Sequence, residues 1–375
     1  MNLNVLTNLT PTIYRALDVV SREMVGFIPS VSRDASEAMA AKDQVIRSFI
    51  TQSADAVDIA PASASPESGN QTVSYVDMKI TKSKMVPVQW TGEEEKAMSG
   101  QYSEILADQF AQAMRTLANE VEADIAQLYK KASRAYGSSA ITPFASTIAD
   151  SAQMRKLLID NGAPLSNMRM VVDTAAGANL RALSNLTKAN EAGSDATLRR
   201  GVLLDLNGFQ IRESAGIVSH TKGTGSADTV GADASVGDTE ITVSSSVGDY
   251  VAGDVIHFGT DTAHKYVVKS ATTAAITIAE PGLKVAVSSG ADVTIAAAYT
   301  PNMAFDSGAI KLLARQPAMP SVGDSAVDVM VVTDPVSGLP FQIALYKQYR
   351  GLHYEVGLAW GCELIKPEHV AILLG

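Results

Sequence analysis

The sequence predicts a fold of mixed helices and strands, interrupted by a module that contains strands only. Three observations predict it: one long apolar stripe at helical spacing follows Ser99, strand-like runs precede that stripe and close the chain, and residues 221–298 show no helix pattern. The chain has 375 residues, which suggests two or three domains and allows a sizeable core without disulfide bonds.

Composition and charge exclude several classes of protein. Hydrophobic residues make up 46% of the chain and charged residues 19%, which is typical of a globular protein. The 40 acidic and 30 basic residues give a net charge of −10, which argues against a large nucleic-acid footprint, since that needs clustered Lys and Arg. The start shows no signal-peptide pattern, and no apolar run approaches the roughly 20 residues that span a bilayer. We therefore expect a protein that folds in a cytosol and has no membrane partner.

The N-terminal part predicts one helix and one long irregular segment. Residues 8–24 have helical spacing, with Thr10 as the expected N-cap and Pro11 at the first helical position. Residues 53–70 are small, polar and rich in Pro and Ser, which is typical of a loop or an extended arm. The alternation in residues 72–90 then predicts strands.

The clearest helix begins near Ser99 and is expected to end by Gly137. About 36 residues at 1.5 Å each would form a rod of roughly 55 Å. Its apolar positions step by threes and fours: Tyr102, Leu106, Phe110, Met114, Leu117, Val121, Ile125 and Leu128. The acidic run at residues 93–95 predicts a solvated helix start, where negative charge suits the helix dipole.

Residues 141–220 predict an α/β part. In order, its elements are a helix closed by Asn161 and Gly162, a short buried strand at 168–173, a helix at 174–186, and two strands joined at Asn207 and Gly208. The Asn-Gly pair between apolar runs is a strong hairpin signal. The Asn-Gly pair after the first helix is a typical helix stop.

Residues 221–298 are predicted to form an all-β module inserted into this part. The module opens on a stretch rich in Gly, Ser and Asp at 221–238, and its short strand candidates suggest a small sandwich or barrel. The candidates are 239–243, 254–258, 265–269, 275–279 and 292–296. Residues 299–317 then predict a strand followed by a short helix. The last strands are expected at 328–335, 340–351, 352–367 and 369–375.

The search for catalytic or metal-binding residues assigns none. His257 and His264 lie near Asp254 and Asp261, which leaves a metal site open, but their spacing fits no recognised ligand pattern and solvated strand or turn residues are the expected reading. The Gly-rich stretch lacks the order of a phosphate-binding loop, and neither a nucleophile elbow nor a zinc-protease motif occurs. We therefore expect no catalytic, cofactor-binding or metal residue, and no enzyme activity.

Three C-terminal residues are expected to be structural. His353 and His369 lie in strand-like runs and are predicted to pair locally. Cys362 is the single cysteine, so it cannot form an internal disulfide, and its apolar surroundings predict a packed thiol and not a reactive one.

Four segments carry a resemblance to a known family. They are "LTPTIYRALDVVSREMV" at 9–25, "TVSYVDMKI" with residues 85–132 after it, "TPNMAFDSGAIKLLARQP" at 300–317, and the chain end from "GLPFQIALYKQYRG" to "VGLAWGCELIKPEHVAILLG". In this order they resemble the N-terminal arm helix, the strands and spine helix, the return from an insertion, and the C-terminal strands of tailed-bacteriophage major capsid (coat) proteins. Their fold is of the Hong Kong type, and the likeness extends to the P-twenty-two-like branch, which carries an inserted β domain.

The resemblance implies an α+β fold with assigned parts. These are an N-terminal arm and helix at 1–50, an extended loop over a neighbouring subunit at 51–72, a peripheral domain with the spine helix at 73–140, an axial or peripheral α/β part at 141–220, the inserted β domain at 221–298, and returning axial and peripheral strands at 299–375. Subunits would form hexamers and pentamers that close an icosahedral shell.

The resemblance also implies partners and a place of assembly. The shell would form in the host cytoplasm and enclose double-stranded DNA without sequence-specific contacts. A separate scaffolding protein and a portal are expected partners, and a decoration protein is a further candidate. The chain start at the arm helix favours a scaffold that is not fused to it.

Two other functions stay open on the residues alone. A hydrolase or lyase with a β accessory domain would need a pocket with converging titratable groups. A glycan-binding surface protein would use residues 221–298 and would need no polymer.

Overall fold

Two large β-sheets and one long helix organise the chain. The computed structural model describes residues 6–20, 25–50, 73–98, 100–183, 205–226, 228–244, 249–259, 261–320, 324–335 and 337–375. In these residues the helices are α1 Leu6–Val20, α2 Gly92–Ala97, α3 Tyr102–Ala126, α4 Ala149–Asp160 and α5 Thr174–Ala182, with 3₁₀ turns at Gln127–Lys131 and Pro367–His369. The fold is α+β, with few helices and many strands.

Eight strands precede the β-rich stretch in the described chain, and twelve lie in it or follow it. The first are β1 Ser32–Ala40, β2 Val45–Ile50, β3 Ser74–Lys79, β4 Lys82–Thr91, β5 Arg134–Gly137, β6 Met168–Val172, β7 Asp205–Leu206 and β8 Phe209–Glu213. The others are β9 Asp228–Thr229, β10 Glu240–Thr242, β11 Val255–Phe258, β12 Lys265–Ala271, β13 Ala275–Ile278, β14 Asp292–Ile295, β15 Pro301–Asp306, β16 Ile310–Pro317, β17 Ala326–Thr333, β18 Pro340–Gln348, β19 Gly351–Leu364 and β20 Val370–Leu374.

The sheets differ in size and in what covers them. A six-stranded sheet has the order β1-β16-β19-β18-β17, with β4 also paired to β19. A twelve-stranded sheet has the order β7-β8-β6-β15-β20-β5-β12-β11-β14-β9, with β13 joining β12 to β10. Strands β2 and β3 form a separate two-stranded sheet. Helix α3 packs against β4 and β19 and so covers one face of the six-stranded sheet.

The long helix is shorter than the sequence predicts. It has 25 residues, or about 38 Å, and its apolar stripe is buried as expected. The prediction that it extends to Gly137 is wrong. The α-helix ends at Ala126, a 3₁₀ turn follows, and the chain then forms β5. Pairing explains the stop, because β5 lies between β20 and β12 and its backbone groups are used by both neighbours.

The acidic residues 93–95 lie in the first turn of a helix, as predicted, but this helix is α2, which is separate from α3. Thr91 caps α2, because its side chain accepts the N–H of Glu94. In turn, the Thr91 N–H donates to Glu94 Oε2 at 2.8 Å. This reciprocal pair is a capping box, which satisfies two backbone donors at the helix start. No residue of α2 is buried, so the helix stands in solvent.

The N-terminal helix begins earlier than predicted. It starts at Leu6, so Pro11 lies inside it, and the prediction of Thr10 as N-cap is wrong. Proline removes one helical hydrogen bond, a cost that packing can offset. Ile13 and Leu17 are fully buried and belong to the same core as the stripe of α3.

One buried carboxylate fixes the turn that follows α1. Glu122 of α3 is 3% exposed, and its oxygens accept the backbone N–H groups of Gly26, Phe27 and Ile28 at 2.7, 2.6 and 3.0 Å. Burial raises the pKa of Glu122, and these N–H bonds partly oppose the shift. A Cβ on residue 26 would lie 2.5 Å from the carbonyl oxygen of Glu213, so only glycine fits. The N-terminal segment is thereby tied to the long helix.

The short helix expected before Pro317 is not formed. Residues 310–317 are strand β16, which pairs in parallel with β1 and antiparallel with β19. Both faces of this strand are buried, and its short segment 310–314 has no clear two-residue alternation, so sequence periodicity does not separate it from a helix. The helix before Asn161, the strand at 168–172 and the C-terminal strands confirm their predictions, and the helix predicted at 174–186 forms over Thr174–Ala182. Residues 184–186 of that helix and 201–204 of the first hairpin strand lie outside the described residues. At the predicted hairpin, Asn207 and Gly208 both have positive φ, at 51° and 84°.

The β-rich stretch contains every predicted strand, with no helix in its described residues. It has a hydrophobic cluster of its own, which includes Ile256, Phe258 and Ile276. It is also joined to the rest of the chain, because β12 pairs with β5 and places Tyr266 opposite Arg134. The boundaries at 221 and 298 stay a prediction.

A buried polar network lies where the chain enters and leaves this stretch. His220 Nε2 is 2.9 Å from Asp254 Oδ1, and Tyr129 Oη is 2.8 Å from His220 Nδ1. The His220 N–H donates to the Tyr299 carbonyl at 2.7 Å, and the Tyr299 hydroxyl donates to the Gly253 carbonyl. The network therefore connects both ends of the β-rich stretch to the end of the long helix.

We expect Glu122→Ala to lower the free energy of unfolding of the unassembled subunit by at least about 3 kcal/mol, because it leaves three buried N–H groups without an acceptor. Urea denaturation measures this. The matched control is Glu120→Ala on the same helix, whose carboxylate forms a surface pair with Lys84 and should cost less than about 1 kcal/mol. Equal, small effects of the two substitutions would contradict the role of Glu122.

Removal of residues 370–375 should prevent folding. Strand β20 is fully buried and lies between β15 and β5 in the larger sheet, so its loss exposes two ladders at once. We expect insoluble protein, or a soluble chain without a cooperative thermal transition. A truncated chain that unfolds like the full-length one would disprove this assignment.

Candidate subunit interface

The β2–β3 hairpin rests on the six-stranded sheet by one face only. Its register runs from Val45 opposite Lys79 to Ile50 opposite Ser74. The inner face buries Met78 and packs on the face of the six-stranded sheet opposite α3. That cluster includes Ile46, Ile50, Val76, Leu313 and Ala359. Lys311 Nζ also donates to Ser48 Oγ at 3.0 Å, which ties the hairpin to β16.

The outer face of the hairpin exposes large apolar side chains. Phe49 is 72% exposed and Tyr75 51%, and the two lie opposite each other in the ladder. The Arg47 guanidinium lies 3.6 Å from the centre of the Tyr75 ring and 2.9 Å, at Nε, from Asp77 Oδ1. That hydrogen bond lowers the pKa of Asp77, so the pair is held charged on this face. An exposed patch of this kind, rimmed by a fixed charge pair, is typical of a protein interaction site.

The hairpin also positions the segment predicted to be an extended loop. The last paired residues of the ladder are Ile50 and Ser74, so residues 51–72 connect the two strands at that end. The loop prediction falls on residues outside the described part of the chain, and it stays a prediction.

His257, His264, Asp254 and Asp261 of the β-rich stretch do not converge on one site. His264 Nδ1 lies 2.8 Å from Asp261 Oδ2 within one turn, whereas Asp254 bonds His220 and not His257. In the described ranges, no three His, Cys, Asp or Glu side chains converge where they could hold a metal ion. These groups act in local structure.

The C-terminal residues singled out by the sequence are also in structural positions. His353 Nε2 lies 3.2 Å from Glu355 Oε1, which confirms local pairing. His369 lies in the 3₁₀ turn before β20, where burial lowers its pKa. Cys362 packs on the main core, and burial raises its pKa to about 12. A thiol in this state is protonated at neutral pH and is a poor nucleophile.

A cavity of about 350 Å³ beside the ends of β5 and β20 shows no catalytic arrangement. Its charged side chains are Lys265 and Asp150, and both are used in structural bonds. The Lys265 ammonium donates to the Gly137 carbonyl, and Asp150 Oδ2 accepts the N–H of Phe144 at 2.8 Å. The remaining lining is mostly hydroxyls and apolar groups, without a positioned acid and base.

Among the helices of the described residues, none is long and apolar enough to span a bilayer.

Sequence reasoning missed the hairpin face and the network around His220. Residues 45–50 include the strand-favouring Val45, Ile46, Phe49 and Ile50, and Asp43 in the preceding turn has a φ of 67°, so a strand after a turn could have been predicted. Both faces of that strand carry apolar residues, so the sequence gives no sign of which face is exposed. The His220 network joins residues far apart in the chain and leaves no local pattern.

Comparison with known proteins gives structural neighbours only. No protein-family model and no curated protein matches the chain. Among solved structures, it is similar to one from Mycobacterium phage Che8, at 15% identity and a TM-score of 0.48, over 88% of this chain and 85% of that one. It is also similar to the capsid of a native GTA particle, at 9% and 0.47 over 94% and 90%. A virus-like particle from Pyrococcus furiosus gives 8% and 0.45 over 97% and 98%.

Cys362 should react slowly with a thiol reagent in the native subunit. At pH 8 a thiol with a pKa of about 12 is almost entirely protonated, whereas an unfolded cysteine has a pKa near 8.5. We expect labelling at least about 100-fold slower than for the same chain in urea, and faster labelling as the pH rises. Equal rates with and without urea would contradict a packed thiol.

Proposed function

We propose that this chain is the major capsid protein of a tailed bacteriophage, with the Hong Kong-type fold, and that it assembles as hexamers and pentamers into an icosahedral shell around the genome. The observation that carries the proposal is the outer face of the β2–β3 hairpin. It presents Phe49 and Tyr75 to solvent at the base of residues 51–72. A second copy of the chain would bury this exposed apolar face.

Energetics support a partner on this face. A two-stranded hairpin is marginal by itself, and this one buries only its inner side. Aromatic and arginine side chains are the residues that contribute most to protein interfaces. If the hairpin of one copy lies on another region of the next copy, the contact is heterologous, and repetition by a rotation closes a ring.

The proposed domain assignment follows the order of parts along the chain. It has the arm and helix at 1–50, the extended loop at 51–72, the peripheral domain with the spine helix α3 at 73–140, the axial or peripheral α/β part at 141–220, the inserted β domain at 221–298, and the return at 299–375. The insertion supports the P-twenty-two-like branch. The pairing of β12 with β5 is compatible with a module that is seated on the subunit.

The proposed partners follow from the same function. The chain contacts itself in the shell, and a scaffolding protein and a portal take part in assembly in the host cytoplasm, with a decoration protein as a further candidate. The net charge of −10 favours enclosure of double-stranded DNA without specific contacts. The mature location is the virion.

A non-enzymatic role is supported by how the titratable groups are used. Glu122, Asp254 and His220 are buried and hydrogen-bonded to backbone or to each other. A hydrolase or lyase, or a glycan-binding protein, could also form small oligomers, but would have no need to assemble into a closed shell. Assembly into a closed shell therefore separates these alternatives from the proposal.

The double substitution Phe49→Ser with Tyr75→Ser should leave the subunit folded and impair assembly. Both side chains point to solvent in one copy, so the free energy of unfolding should change by less than about 1 kcal/mol. Loss of two aromatic contacts should raise the protein concentration needed for assembly at least about tenfold. Sedimentation velocity measures the assembled fraction.

The matched control replaces exposed apolar residues elsewhere, Ile159→Ser with Leu165→Ser, which are 44% and 54% exposed. We expect the control to assemble like the unmodified chain. Normal assembly of the hairpin variant would disprove the role of this face.

A further inference from the structure

The turn between β18 and β19 forms an exposed knob. Tyr349 is 92% exposed, and Arg350 next to it has a φ of 55°, in the left-handed region that side chains other than glycine seldom adopt. The Arg350 Cζ lies 5.9 Å from the centre of the Tyr349 ring. The Arg350 carbonyl accepts the N–H of Gly92 at 3.0 Å, which fixes the turn against the start of α2. An aromatic ring and a cation are thus held out into solvent together.

A cleft of about 730 Å³ lies beside the knob, and the knob residues form one of its walls. Leu352 supplies apolar surface to its lining, whereas Trp90 lies at its floor, is only 6% exposed, and donates from its Nε1 to Gln109 Oε1 at 2.7 Å. Glu93 and Glu95 of α2 supply the acidic part of the lining. The cleft therefore combines an apolar surface with negative charge on a rigid frame.

The knob and the cleft are complementary in charge and in polarity. Arg350 is cationic, whereas Glu93 and Glu95 are anionic, and in the described part of the chain no ion pair links them. Glu94 is different, because it is used in the capping box of α2. No residue of α2 is buried, so Glu93 and Glu95 remain accessible to a partner beside the cleft.

We propose that the knob of one copy, Tyr349 and Arg350, docks in the cleft of a second copy. The proposal rests on the proposed function only in taking a second copy as the partner. In this contact the Tyr349 ring packs on Leu352 above the buried Trp90, and the Arg350 guanidinium binds Glu93 and Glu95. Arginine suits this role because its planar fork can bind carboxylates through two parallel hydrogen bonds.

The arrangement allows the contact to repeat from copy to copy. The knob of one copy meets the cleft of another, and both features lie at the same end of the six-stranded sheet. Copies that meet at these ends can close a small ring, with each knob in the next cleft. The contact is separate from the hairpin face and uses none of its residues.

Charge reversal tests the proposal through assembly. Arg350→Glu, and separately Glu93→Arg with Glu95→Arg, should each raise the concentration needed for assembly at least about tenfold, since like charges then meet. The triple variant, with all three changes, should return to within about threefold of the unmodified chain. The control is Lys156→Glu, which makes the same charge change at an exposed site on α4 and should have no effect.

A chemical crosslink tests the contact without requiring a shell. In the Arg350→Lys variant, a zero-length carbodiimide should join position 350 to Glu93 or Glu95. A mixture of ¹⁴N- and ¹⁵N-labelled protein should give mixed-isotope crosslinked peptides, which identify a link between copies. Absence of mixed-isotope peptides, or failure of the triple variant to recover, overturns the proposal.

The outcomes separate this proposal from the proposed function. Shells that form without the crosslink and tolerate Arg350→Glu would leave the capsid function intact and disprove the knob contact. Crosslinked rings that never close into shells would support the knob contact and contradict the capsid function. A subunit that remains monomeric at every concentration and gives no crosslink would disprove both.

Discussion

One side of α3 packs on β4 and β19, and α1 packs on the same helix, so a single apolar stripe holds three parts of the chain. Polar bonds orient this packing. Trp360 Nε1 donates to Asp124 of the helix at 2.8 Å, and Glu122 binds the turn after α1. Phe110 meets Tyr354 edge to face at 5.5 Å between ring centres. Because these contacts are directional and largely buried, they fix the helix on the six-stranded sheet, which in turn carries the β2–β3 hairpin and the turn at Tyr349.

The frame explains why the exposed groups are in defined places. The hairpin is fixed on the sheet by its inner face and by Lys311, which leaves Phe49 and Tyr75 directed outward. The knob at Tyr349 projects from the end of the same sheet. The proposed shell would need such rigid placement, because small errors in direction accumulate when identical contacts are repeated around a closed surface. Association can still be weak at each contact, since many contacts act together.

Local chemistry made part of this fold predictable from the sequence. The helix stop at Asn161, the Asn207 hairpin and the C-terminal strands follow from short-range patterns, and they occur as expected. The end of α3 and the strand at 310–317 depend on neighbours that are distant in sequence, and the same residues could have formed a helix. Strand β1 shows this most clearly: "SRDASEAMA" has no strand periodicity and becomes a strand through pairing with β16. The loop expected at 51–72 stays a prediction, and the exposed aromatic face was not predictable because it depends on which side of the hairpin is buried.

Electron cryomicroscopy of the purified chain at increasing protein concentration is the most direct test of the central claim. The proposed function predicts closed icosahedral particles with hexameric and pentameric units, in which density for β2, β3 and residues 51–72 of each subunit reaches a neighbouring copy. A particle map in which the hairpin faces solvent, or a chain that remains a single subunit at every concentration, would contradict it.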